Sequence, residues 1–127
     1  MITEILDPYS EKHAREKKIE FDRMAADNVV TLQIDARRLG VQVPEHLGNT
    51  PNLLLKFSPR YASTLHVTTE GVRQELSFRG EWILCVVPWL AVYAIYPDKH
   101  GAECAIWAND VPSELRRAFG MDPKAVN

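Results

Sequence analysis

A basic excess is missing from this chain. Fifteen Lys and Arg stand against seventeen Asp and Glu, a formal net charge of −2, which argues against a protein held to nucleic acid by its charge. Membrane-length apolar runs are missing too. Trp82–Tyr96 carries no charge, but at fifteen residues with Pro88 in its middle it is too short and too broken to cross a bilayer as a helix. Met1–Leu6 is too short for a signal-peptide core and is followed by charges, so the expected compartment is the cytoplasm, with no membrane partner. Cysteine is scarce. Cys85 and Cys104 both fall in expected strands among apolar neighbours and read as reduced core residues. None of His13, His46, His66 and His100 stands near a cysteine at ligand spacing, so no metal is expected. The nucleophile elbow, the zincin helix motif, the phosphate-binding glycine loop and the dinucleotide fingerprint are all absent. The expectation is a protein that is not an enzyme and needs no cofactor.

What is present is an ordinary globular composition, 46% hydrophobic and 25% charged over 127 residues, enough for one domain with one core. Trp82–Tyr96 is rich in β-branched and aromatic residues and reads as two buried strands, Trp82–Val87 and Ala91–Tyr96. They are joined at Pro88, which lacks a ladder donor. Pro8 to Ala26 reads as a helix, with Asp7 as N-cap and Pro8 at its first position. Its charges sit at helical spacing, as in Glu11–Arg15, and its thin apolar stripe is Tyr9, Ile19, Phe21, Met24 and Ala25.

Val29–Ala36 alternates as a half-buried strand, with Val30, Leu32 and Ile34 on the buried face. Gly40–Pro44 is a short extended piece, Leu53–Phe57 a strand that Pro59 stops, and Thr64–Thr69 another. Val72–Arg79 places Val72, Gln74, Leu76 and Phe78 on one face, and Glu103–Ala108 is a last short strand. The sum is a mainly β fold, a helix followed by about seven short, evenly spaced strands, which indicates a small barrel or sandwich. The expected organisation is a helix over 1–27, a barrel over 28–112 and a short tail over 113–127. The tail segment Leu115–Phe119 reads either as a capping turn or as a docking element.

Two motifs sharpen this. Gly40-Val41-Gln42-Val43-Pro44, after an aspartate-containing strand, and Val87-Pro88-Trp89-Leu90-Ala91-Val92-Tyr93-Ala94-Ile95-Tyr96 resemble the SspB family of stringent starvation protein B adaptors in order and spacing. Phe57-Ser58-Pro59-Arg60, Val72-Arg73 and Phe78-Arg79-Gly80 fall between them as in family members, so the resemblance spans about Asp27 to Val111. It implies an Sm-like open barrel that binds ssrA-type degradation tags and hands tagged proteins to the unfoldase ClpX of the ClpXP protease. A homodimer through the N-terminal helix is also implied. Carried over by residue, the peptide groove would be lined by Phe57, Ser58, Pro59, Arg60, Tyr61, Ala62, Leu76, Ser77 and Phe78, with Tyr61 where some members have a small residue. A nucleic-acid-binding module of Sm-like type is the alternative; RNA is disfavoured by the net charge and by the lack of a basic strand with interleaved aromatics.

Overall fold

The computed structural model describes residues 8–61 and 64–120. One helix, α1 (Pro8–Ala25), precedes seven strands: β1 (Val30–Ile34), β2 (Leu53–Phe57), β3 (His66–Val67), β4 (Gly71–Phe78), β5 (Glu81–Pro88), β6 (Val92–Pro97) and β7 (Ala105–Ile106). They form two antiparallel sheets, one in the order β2-β1-β6-β7 and the other β3-β4-β5. The expected barrel is therefore two separate sheets over one core, and it is not closed.

Hydrophobic periodicity explains most of the elements. β2 alternates strictly, with Leu53, Leu55 and Phe57 buried and Leu54 and Lys56 exposed. On β4, Val72 and Gln74 are buried and Leu76 and Phe78 half-buried, while Arg73, Glu75 and Ser77 face out. The β4–β5 hairpin turns on two residues, Arg79 and Gly80, between the register pair Phe78 and Glu81. Both take positive φ, 54° and 83°, as a two-residue turn that follows the strand twist requires. Pro88 ends β5, and a short 3-10 turn, Trp89–Ala91, leads into β6.

The core draws on both sheets and on α1, where Ala14, Phe21 and Met24 pack with Val30, Leu32 and Trp89. Phe21 meets Phe57 edge-on at 6.2 Å between centroids and Trp89 at 5.8 Å. Among the described side chains the buried helix positions are 14, 17, 21 and 24, three and four apart. Ile19, assigned to the apolar stripe by type, points away and is 63% exposed, whereas Lys17 is fully buried. The stripe was drawn by residue class, and a lysine stem can lie against apolar surface as a leucine does.

Other expectations change in detail. β1 is buried on both faces, because a second small cluster of Tyr93, Ala94 and Val111, with Leu115 and Phe119 packed on it, covers the Gln33 side. A register shift beside Gln33 makes this possible. Ile34 pairs with Val92 and Gln33 with Ala94, so Tyr93 is the inserted residue and turns with Ala94 to the opposite face from Val92 and Ile95, as a bulge allows. β5 is not buried along its length, since it is an edge strand whose first half, with Trp82 at 56% and Leu84 at 39% exposure, faces solvent. Gly40–Pro44 contributes a single bridge, Gln42 to Val86. Cys85 is buried as expected, and burial pushes its thiol up to about 11; Cys104, expected in the core, lies exposed before β7. Among the described residues no helix is long and apolar enough to cross a membrane.

Candidate functional site: a groove between two strand edges

β2 is the outermost strand of its sheet, and β4 has β3 beside it only at Val72 and Arg73. From Gln74 to Phe78, the outer side of β4 therefore carries no strand partner among the described residues. These two open edges meet at one point. Gln74, 1% exposed, accepts the Ser58 N–H on Oε1 at 2.9 Å and donates from Nε2 to the Ser58 carbonyl at 2.8 Å. A side-chain amide thus makes the donor–acceptor pair that a neighbouring strand's peptide group would make.

From this joint a groove of about 430 Å³ runs between the strands, lined by Leu54, Leu55, Lys56, Ser58, Gln74–Phe78 and Trp82. Its floor is apolar: Leu55 is buried, and Leu76 and Phe78 pack on the core. Its walls hold one exposed residue of each charge, Lys56 and Glu75. Such a shape, with an apolar floor and two lines of backbone groups, suits one extended chain.

Of the expected lining, Ser58, Leu76, Ser77 and Phe78 are brought together here. Phe57 is not among the groove residues; it shares the inward face of β2 with the floor residue Leu55 but is fully buried against Phe21. Pro59, Arg60 and Tyr61 form a 3-10 turn just past the joint, where the Arg60 N–H donates to Ser58 Oγ at 3.2 Å. Ala62 lies outside the described residues. Leu54, Leu55, Lys56, Gln74, Glu75 and Trp82 escaped the sequence reading of the site. A signal for Gln74 was available, since it is the one polar residue on the inward face of its strand.

Three other concave regions lack this combination of edges and apolar floor. One of about 400 Å³ lies by His66, Arg73 and Val86 on the β3-β4-β5 sheet. A second, by Ile19, Ile106 and Trp107, separates α1 from β7. The third, by Arg23, Asn28, Lys99 and Glu103, is polar.

Apart from Gln74, the buried polar groups described below sit away from the groove and hold the framework. Lys17 Nζ donates to the Trp89 carbonyl at 2.9 Å and to Asp110 Oδ2 at 2.8 Å, fixing α1 to the turn before β6. Burial lowers its pKa, and the Asp110 carboxylate opposes that shift. Trp89 Nε1 donates to the Thr68 carbonyl. Tyr93 donates its hydroxyl hydrogen bond toward the Pro51 carbonyl and Asn52 Oδ1, and burial pushes it up to about 12. Burial of Asp35 would raise its pKa, but the Arg37 guanidinium and N–H beside it hold the carboxyl below the usual range; Arg37 also reaches Glu114 at 2.8 Å. Among the described residues no three His, Cys, Asp or Glu side chains are grouped to hold a metal ion.

Fold and site together define a small, mainly β protein with an N-terminal helix and a strand-edged groove. No family model matches the chain.

Proposed function

We propose that this protein is a peptide-binding adaptor that takes ssrA-type degradation tags in the β2/β4 groove and delivers tagged proteins to ClpX of the ClpXP protease. The observation that carries the reading is the Ser58–Gln74 joint, where two open strand edges stand one amide apart above an apolar floor. An extended peptide entering the groove continues the pairing that Gln74 begins, on one edge or both, and sets alternate side chains on Leu55, Leu76 and Phe78. The resemblance to the SspB adaptors names the peptide class and the unfoldase, and it motivates reading the two sheets as an opened Sm-like barrel.

Delivery needs a second contact, because tethering works by raising local concentration. Leu115 and Phe119 are already packed on the cluster around Tyr93, Phe119 at 5.9 Å between rings, which favours a capping role for this part of the tail over a docking role. A homodimer through α1 would rest on Ile19 with Ile106, because the other large apolar side chains described on the helix, Phe21 and Met24, serve the core.

The test is fluorescence anisotropy with a labelled ssrA-type peptide, repeated across a salt series. Saturable binding that changes little with salt is the expected result. RNA binding of the Sm-like kind would instead weaken by about 10³–10⁵ between 50 and 200 mM salt for six to ten phosphate contacts, and a groove with one Lys and one Glu has no such set of cations.

A further inference from the structure

Leu54 and Trp82 are among the largest apolar side chains that the fold leaves exposed, at 57% and 56%, and they come from different sheets to line one groove. A single exposed leucine needs no explanation. Two large apolar groups on opposite walls of a concave site do.

Strand alternation fixes where they act. Leu54 and Lys56 are on the outward face of β2, away from the floor residue Leu55. Trp82 stands opposite Ser77 in the β4–β5 ladder, and both face out, as does Glu75. Counted from the Ser58–Gln74 joint, Lys56 and Glu75 come first on the two walls, and Leu54, Ser77 and Trp82 come last. The joint end is therefore apolar below and charged above, whereas the far end is apolar below and uncharged above, where Leu54 and Trp82 stand with Ser77.

We infer that Leu54 and Trp82 form an apolar jaw at the far end of the groove, selecting an extended peptide with a large aliphatic or aromatic side chain at the outward-facing position that reaches them. This rests on the proposed peptide-binding function and adds a selectivity to it. A bound strand turns alternate side chains outward, so one such residue passes between the jaws while its neighbours lie on the floor. Toward the joint, outward-facing residues meet Lys56 and Glu75 and are polar. A partly exposed tryptophan at a groove rim suits this part, since rigid aromatic anchors dominate the energy of small interfaces.

The experiment compares the wild type with Trp82→Ser and Leu54→Ser in anisotropy titrations. The probes are a fluorescein-labelled ssrA-type peptide and a scan of that peptide with Asp placed at each position in turn. Urea midpoints verify that both variants stay folded, as exposed positions on edge strands should. Expected is one apolar peptide position where Asp weakens wild-type binding by about tenfold or more. Trp82→Ser should weaken the parent peptide by a similar factor and become indifferent to Asp at that position, with Leu54→Ser in between. Folded variants that bind the parent peptide as the wild type does, or that keep the full Asp sensitivity, overturn the jaw and leave the groove standing. Wild-type protein that binds no peptide of the set overturns both.

Discussion

Removing the Gln74 amide should loosen the fold and the groove together. In Gln74→Ala, two hydrogen bonds of 2.9 and 2.8 Å to the Ser58 backbone are lost. Each contributes about 0.5–1.5 kcal/mol net, and a polar group left buried without a partner costs about 1–3 kcal/mol. Ser58 is only half-buried, so water can take over part of its bonding, and we expect a total of about 2–3 kcal/mol. With a urea slope of about 2 kcal/mol/M for a domain of this size, the midpoint should fall by about 1–1.5 M. Gln74→Glu separates shape from chemistry. It keeps an acceptor for the Ser58 N–H but turns a carboxylate oxygen toward the Ser58 carbonyl, so its loss should exceed that of Ala near neutral pH. The loss should shrink as pH falls through the carboxyl range, where the protonated group can donate again. Circular dichroism against urea at two pH values reads both effects. A Gln74→Ala midpoint within about 0.3 M of the wild type, well inside the expected shift, would refute the view that this amide joins the two sheets.

Trp89 is 1% exposed and touches Phe21, so Trp89→Ala should cost about 3–5 kcal/mol, a large part of an ordinary domain stability of about 5–15 kcal/mol; calorimetry should show the lowered Tm. Gly71→Ala places a Cβ 2.3 Å from the Val87 carbonyl oxygen and 2.8 Å from Pro88 Cα, contacts with backbone that cannot swing away, so a loss of about 1–3 kcal/mol is expected in the same assay. Lys17 has a pKa lowered from 10.5 by burial, so the unfolded chain binds its proton more readily than the folded one. Stability from this group therefore rises with pH between the lowered folded value and 10.5, and below that window its penalty is constant. Urea midpoints from neutral pH to 10.5 should show this rise in the wild type, and a smaller one in Lys17→Met.

The helix, the β2 and β4 alternation and the break at Pro88 were legible because each depends on local periodicity or on a missing donor. What escaped depends on contacts distant in sequence. Lys17 is buried because Asp110, 93 residues away, and the Trp89 carbonyl receive its ammonium, and nothing in the helix pattern announces either partner. β1 loses its solvent face because the Tyr93 bulge and the segment around Phe119 cover it. Within the site, Leu76, Ser77 and Phe78 of β4 came from the family resemblance alone, and all three line the groove. Phe57 shares the inward face of β2 with the floor residue Leu55, and what sets it apart from the groove is a contact distant in sequence, its packing against Phe21. Trp82 was read as core from its apolar neighbours, yet β5 is an edge strand, and edge position is a property of sheet order that no local pattern carries.

The central claim is that an extended peptide lies between β2 and β4, and hydrogen–deuterium exchange with saturating ssrA-type peptide tests it directly. The account predicts slowed exchange confined to Leu54–Ser58 and Gln74–Phe78, where an added strand would cover the open edges. Protection centred instead on His66 and Arg73, on Ile19 and Ile106, or on no segment at all would contradict it.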